Sequence, residues 1–478
     1  MRNLTMLTDL YQLTMMQGYL REGKQDEVAV FDLFFRSVQD FSAFAVVAGT
    51  QQVVELIQEL AFTPEDIDYL RQLAIFDAEF LAYLTDFRFD GDIYAMPEGT
   101  VCFPGEPLLR VTAKLPMAQL IETAVLNIVN HQTLIATKAA RVCYAAGDGG
   151  VLEFGLRRAQ GPDAGVYGAR AAMIGGCSAT SNLLAGEMFD IPVRGTHAHS
   201  WVMSFENEID AFRAYAKAFP QNCLLLVDTY DSLKSGMPNA IQVFHELRAA
   251  GYEPAGIRLD SGDLAYLSKR CRKMLDEAGF PKAAICVSGD LDENVIWDLR
   301  AQGASINIWG VGTRMITSSD LPALGGVYKL AAIQSDGEMR PTMKMSDSMI
   351  KVTNPGIKQV WRLIDRDSGK AIADLIGLED EIIPDDVPLE IFHPLEPYKR
   401  MTVENFRAVP LLEPLILAGK AAAESRSLKQ ICDYAAQQRE TLWEEYRRLT
   451  NPQVYKVDLT QTLFDLKNQL LLQGRKKA

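Results

Sequence analysis

From Cys223 to Thr313 the sequence alternates short apolar runs with longer segments of helical periodicity, and this alternation constrains the fold more than any other feature. NCLLLVDTYD, EPAGIRLDSGD, KAAICVSGDLDE and INIWGVGTRM have strand character, and each ends in polar residues. Between them LKSGMPNAIQVFHELRAAGY, LAYLSKRCRKMLDEAGF and NVIWDLRAQGA read as helices; in the first, Ile241, Phe244, Leu247 and Ala250 stand near helical spacing. Such a pattern predicts parallel strands with helical crossovers. The loops that follow the strands carry Asp228, Asp260–Ser261, Ser288–Gly289 and Gly310–Thr313. In a barrel these loops converge on one rim, where catalysis sits. An open doubly wound sheet gives a similar alternation. The barrel is the reading adopted, with VLEFGLRRAQ and IPVRGTHAHS as two earlier strands.

The rest of the chain reads differently. VAVFDLFFRS and DGDIYAMPEGTVCFPGEPLLRVTA, with their Pro and Gly turns, predict a β-rich region with helices. LIETAVLNIVNHQTLIATKAARVCYAA reads as one or two long helices leading into the barrel. LEDEIIPDDVPLEIFHPLEP is acidic and broken by prolines, hence a loop or linker, and SLKQICDYAAQQRETLWEEYRRLTNP is amphipathic. The 478 residues exceed one compact core, which stops growing near ~250–300 residues. We expect an irregular α/β barrel plus a second mixed α+β domain, with a helical C-terminal extension. Residues 1–125 form part of the second domain, 126–340 the barrel, 341–410 a mixed segment returning to the second domain, and 411–478 the extension.

A net charge of −14 argues against nucleic-acid binding, which needs a basic face. The seven cysteines include no CxxC pair, and their odd number fits a reducing compartment. The N-terminus is too polar for a signal peptide, with Asp9, Gln12 and Gln17 interrupting it, and no run of ~18 apolar residues is present. The expectation is a cytoplasmic protein acting on small molecules.

Several residues could carry chemistry. His197 and His199 lie two apart after Gly195–Thr196. On a strand, HxH puts both rings on one face, as a metal site needs. Alternatively Gly195 lets the backbone approach an anion, Thr196 donates to it, and a neutral imidazole beside them attacks a phosphoryl group. A packed structural pair is the third possibility. Arg157–Arg158, Arg194, Arg258, Arg314, Lys329 and Lys344 fall at or near strand ends, and guanidinium forks suit phosphate and carboxylate. SGDLDE and WGVGTRM place glycines at strand ends, a setting for phosphate. No GxxxxGK[ST] loop exists, so a P-loop does not hold ATP. Asp228 and Asp260 are assigned to chemistry, and Asp231 or Asp263 to helix capping.

Taken in order, LTDLYQLTM, FDLFFR, FPGEPLLRV, EFGLRRAQGPDAG, RGTHAHSW, VDTYDS, RLDSGDL, VSGDLDE, GVGTRM and LGGVYKL resemble the nicotinate phosphoribosyltransferase family, among the type II phosphoribosyltransferases, over nearly the whole chain. The resemblance implies transfer of phosphoribose from phosphoribosyl pyrophosphate to nicotinate, in NAD biosynthesis, coupled to ATP hydrolysis through a phosphorylated histidine. By position that histidine is His199, with His197 in a variable slot. Thr196 would touch nicotinate, as would Tyr11 from a second subunit, and Phe154 would stack on the pyridine ring. Arg157 and Arg258 would face the carboxylate or the pyrophosphate; Asp228 and Asp260 would address the ribosyl pyrophosphate, Mg²⁺ or the imidazole. Ser288, Gly289, Gly310, Gly312 and Thr313 would cradle the 5′-phosphate. Mg²⁺ would arrive mainly with the substrate, ATP would be a co-substrate, and the family habit is a homodimer with a shared site.

SATSNLLAG offers Ser181–Asn182 where nicotinamide-using relatives carry an acid, which favours nicotinate. The competing readings are nicotinamide or quinolinate phosphoribosyl transfer, a non-catalytic nucleotide-binding scaffold, and a zinc hydrolase built on the histidine pair.

Overall fold

The computed structural model describes residues 3–38, 41–335, 337–346 and 351–477. The chain divides into two compact units, one made of residues 1–134 with 323–478, the other of 135–322. The division falls inside the long helix Glu122–Ala146 and ahead of the strand Gly326–Ser335, not at 126 and 340. The reason lies in pairing: Gly326–Ser335 is antiparallel to Val28–Phe35, far away in sequence.

In the first unit, among the described residues, a seven-stranded sheet runs in the order Glu338–Pro341, Gly326–Ser335, Val28–Phe35, Leu109–Lys114, Asp92–Ala95, Glu413–Leu417, Lys420–Ala421. Val28–Phe35 sits within that sheet and is buried at six of its eight positions, which is why its sequence lacks clean alternation. Asp32 is buried in this strand and pairs with buried Lys358 at 2.7 Å. A four-stranded sheet holds Phe406–Pro410, Lys358–Asp365, Ala371–Leu378 and Val457–Leu459, with Arg362 gripping Asp374 through two hydrogen bonds of 2.9 and 2.6 Å. Residues 411–478 therefore contain strands besides the helices Leu428–Thr441, Glu444–Arg447 and Gln461–Lys477. The acidic stretch around Leu389–Phe392 contributes a strand to a hairpin with Arg400–Val403. Positions 347–350 of the 341–410 segment lie outside the described residues.

The second unit contains six parallel strands: β1 (Gly150–Glu153), β2 (Ala179–Thr180), β3 (Leu224–Leu226), β4 (Gly256–Leu259), β5 (Ala284–Ser288) and β6 (Ile308–Val311). Their order is β2-β1-β6-β5-β4-β3, with every neighbouring pair parallel. Because β1 pairs with β6, the strands follow chain order around a circle, with one gap between β2 and β3. The stretch IPVRGTHAHS fills that gap, though it is not the regular strand its sequence suggests. Val193 alone bridges Thr180; Thr180 N–H donates to Pro192 O and Arg194 N–H to Thr180 O. On its other side the closure uses side chains: Thr196 Oγ1 donates to Leu224 O at 2.7 Å, and His197 Nε2 accepts from Leu226 N–H at 3.2 Å. This is an irregular α/β barrel.

The crossover helices form much as their sequences dictate. Asp263 caps Leu264–Glu277 through Tyr266 N–H, and Asp231 caps the turn at Leu233 and Lys234. Ser232–Gly236 forms a π-helical turn before the helix Met237–Ala249. A Cβ on Gly236 would collide with Val227 O, so that turn needs glycine. The helix buries Met237, Ala240, Val243, Phe244 and Leu247, a stripe offset from Ile241 and Ala250.

Candidate active site

Each barrel strand delivers a polar residue to its C-terminal end, and those ends share one rim. The centre of the group is Asp228, two residues beyond β3. Its side chain is 2% exposed, whereas that of His199 is 39% exposed. Asp228 Oδ1 lies 3.2 Å from His199 Nε2, while Oδ2 accepts from Asp260 N–H at 2.8 Å and from Ser261 Oγ at 2.7 Å. An accepting carboxylate places the imidazole hydrogen on Nε2 and leaves the lone pair on Nδ1. Asp228 is thus a fixed acceptor that orients a reachable ring.

Beside it stands a second cluster. Arg258 Nε donates to Ser288 Oγ at 2.8 Å and Nη2 to Asp260 Oδ1 at 2.9 Å, and Ser288 Oγ also donates to Asp260 Oδ1. Burial raises the Asp260 carboxyl, yet the Ser288 hydrogen bond and the Arg258 charge outweigh it and hold the group below the ordinary carboxylate value. The Arg258 guanidinium lies 5.7 Å from the centre of the Phe154 ring. A Cβ on Gly310 would stand 2.7 Å from Phe154 Cδ2, and one on Gly312 3.1 Å from Phe154 O. Gly289 has φ +97°, and a Cβ there would run into Asp260 O. These three glycines thus make room for the site's own residues; Gly195 faces open space.

His197 and His199 do not share a face. His199 opens the short helix His199–Met203, while His197 is buried behind it, its ring 4.6 Å from that of Tyr215. Nε2 of His197 accepts from the backbone, and Nδ1 faces Ala198 O at 3.4 Å, so the ring is held neutral. Burial lowers its pKa to about 4 from an ordinary 6.5. Since the unfolded chain takes up a proton that the folded one refuses, stability is full above pH 6.5 and falls as pH drops towards 4, by on the order of 3 kcal/mol. His197→Gln is expected to flatten the dependence of Tm on pH across that window; an unchanged slope would refute the assignment.

The remaining expected residues are placed as follows. Thr196 sits at the barrel seam. Arg157 is exposed in the turn Leu156–Arg158, and Thr313 is exposed at the start of the helix Thr313–Ile316. Tyr11 belongs to the other unit, 48% exposed on the helix Leu10–Arg21.

One residue escaped the sequence reading. Glu153, at the end of β1, is fully buried; its carboxylate accepts from Gly155 N–H and from Thr180 Oγ1. It shapes the turn that presents Phe154 and ties β1 to β2. Burial raises its pKa, against those two hydrogen bonds. An acid directly before Phe154 at an apolar strand end was the available signal.

Comparison with known proteins accords with this geometry. Residues 6–130 match a model of the nicotinate phosphoribosyltransferase N-terminal domain, residues 150–372 the nicotinate phosphoribosyltransferase family, and residues 357–467 its C-terminal domain. The nicotinate phosphoribosyltransferase of Bacillus subtilis is 48% identical over 467 residues, covering 98% of this chain and 95% of that protein. That of Caenorhabditis elegans is 37% identical, covering 98% and 93%. The crystal structure of human nicotinic acid phosphoribosyltransferase superposes with a TM-score of 0.87 at 32% identity, covering 97% of this chain and 99% of that one. The nicotinate-nucleotide pyrophosphorylase of Pyrococcus furiosus, at TM-score 0.72 and 23% identity, shares the fold over 92% and 96%. The chain belongs to the nicotinate phosphoribosyltransferase family.

Proposed function

We propose that the enzyme joins the ring nitrogen of nicotinate to C1′ of phosphoribosyl pyrophosphate, releasing diphosphate, and couples this step to ATP hydrolysis through a phosphohistidine at His199. The observation that carries the coupling is the Asp228–His199 hydrogen bond, with Asp228 itself pinned by Asp260 N–H and Ser261. Nδ1 attacks the γ-phosphorus of ATP, the bond to the bridging oxygen breaks, and ADP leaves. Asp228 stabilises the positive charge that the ring acquires. Water later cleaves the phosphoramidate.

The pyridine nitrogen is a weak nucleophile, so the C1′–O bond must be well broken when it attacks. Diphosphate becomes more anionic as it departs, and we assign Arg258, a half-buried cation at the rim, to meet it. Phe154 and Tyr11, the latter from a second copy of the chain, hold the ring in line by stacking, and Thr196 touches it. Arg157 shares the recognition of the carboxylate. Ser288, Gly289, Gly310, Gly312 and Thr313 receive the 5′-phosphate through hydroxyls and backbone N–H groups.

Among the described residues no group of three or more His, Cys, Asp or Glu is arranged to hold a metal ion. Both oxygens of Asp228 are engaged, whereas Arg258 and Ser288 hold Asp260 by Oδ1, so Asp260 Oδ2 is the hard donor we assign to Mg²⁺ arriving on the substrate. Bound there, the ion would neutralise charge on the leaving diphosphate.

Nicotinate rather than nicotinamide is the proposed acceptor. Asn182 is used in capping Leu183–Phe189, and the carboxylate of that corner, Glu153, is turned into the wall. Competition between the two bases is expected to favour nicotinate by about ten- to hundredfold, the worth of one charged hydrogen bond. After incubation with ATP, mass spectrometry should locate phosphate on His199 and none on His197. Preference for the amide, or phosphate elsewhere, would overturn this assignment. We further propose a cytoplasmic homodimer; no helix among the described residues is long and apolar enough to cross a membrane.

A further inference from the structure

The two loops after β5 and β6 are tied together by ion pairs outside the cluster described above. Arg314 Nη1 donates to Asp292 Oδ2, and Asp292 Oδ1 caps the helix Glu293–Ala301 by accepting from Val295 N–H at 2.8 Å. The next residue, Glu293, is fully buried. Its Oε1 accepts from Arg141 Nε at 2.8 Å, and its Oε2 lies 2.7 Å from Lys138 Nζ, an ion pair without hydrogen-bond alignment. Lys138 Nζ also reaches Asp320 at 2.5 Å, beyond the helix Thr313–Ile316. Three cations and three anions thus link three stretches of chain: the helix before β1, the loop after β5 and the loop after β6.

Buried ion pairs contribute little net stability, because desolvation offsets their attraction; what they impose is geometry. Here the imposed quantity is the spacing between the loop of Ser288–Gly289 and the loop of Gly310–Thr313. The network has two exposed ends, Arg314 and Asp320, each with a side chain 43% exposed, against 4% for Asp292. Arg314 is the exposed end that joins the two loops, and its removal leaves the buried Lys138–Glu293 pair in place.

We propose that Arg314 and Asp292 are positioning residues that set the distance between the two phosphate-receiving loops, with Lys138 and Glu293 as their anchor. The inference rests on the reading that these loops hold the sugar phosphate. The variants Arg314→Gln, Asp292→Asn and their combination test it; asparagine keeps the capping oxygen. Each single change is expected to raise the KM for phosphoribosyl pyrophosphate about tenfold, as misplacement of a binding loop does. The KM for nicotinate and His199 phosphorylation by ATP should stay near wild type, and so should Tm in Asp292→Asn and the double variant, which leave no buried charge unpaired. The double variant should be no worse than either single one, since both remove the same link, and Arg314→Lys should recover most of the loss. Titration calorimetry with phosphoribosyl pyrophosphate alone gives a readout independent of turnover. Unchanged affinity, additive losses, or an equal rise in the KM for nicotinate would overturn the proposal. A wild-type protein that binds phosphoribosyl pyrophosphate but makes no mononucleotide would instead count against the reaction assigned above.

Discussion

Replacing His199 by alanine is expected to abolish ATP hydrolysis while leaving slow synthesis of the mononucleotide. The imidazole supplies the nucleophile for the γ-phosphoryl group, and neither water nor Asp228 replaces it. Loss of a nucleophile oriented by a carboxylate costs about 10⁴-fold or more in the step it serves. The transfer to nicotinate uses other groups, so its rate without ATP should fall far less. The fold should tolerate the change. The ring is half exposed, and Asp228 keeps Asp260 N–H and Ser261 as donors, so stability should drop by only about 1 kcal/mol. Single-turnover assays with labelled ATP separate the two reactions. ATP-dependent stimulation that survives in the variant would refute the phosphohistidine role.

The second large effect is expected from Arg258→Lys. A guanidinium bonds Ser288 and Asp260 through different nitrogens while its plane lies near Phe154. An ammonium keeps the charge but not the fork. If the half-buried cation meets the departing diphosphate, kcat/KM should fall by about 10²–10³, the usual worth of one preorganised donor. The pH profile should move as well. Asp260 is held low against its own burial by Ser288 and Arg258, so weakening that grip lets its pKa rise. The acidic limb of the activity profile should shift upward in the variant. A limb that stays in place, with undiminished kcat/KM, would remove Arg258 from the transition state.

How legible was all this in the sequence? The strands β3 to β6 were readable because local pattern determines them: short apolar runs, polar strand ends, and amphipathic helices between. The convergence of Asp228, Asp260 and Ser288 followed from that regularity. Ser288 donates directly to Asp260 and Arg258 donates to both, as neighbouring parallel strand ends permit. Closure of the ring was not readable. It depends on Thr196 and His197 reaching main-chain atoms of β3, and no periodicity marks a side chain that substitutes for a ladder. As a strand pattern HxH implies one shared face; the chain turns between the rings, so His197 seals the wall and His199 faces outward. The other unit was the least legible, because its strands find partners remote in sequence, as Val28–Phe35 finds Gly326–Ser335. Strands such as Glu413–Leu417, next to a helix-rich tail, carry no local sign of their register.

That remote pairing has a consequence for birth of the chain on the ribosome. Residues 135–322 emerge as one continuous block, before residues 323–478 of the other unit have been made. Val28–Phe35, synthesised early and largely apolar, has one edge that must wait for Gly326–Ser335 to cover it. Until then it is a sticky, unpaired edge, so nascent chains stalled between the two should recruit holdase chaperones through their first segment.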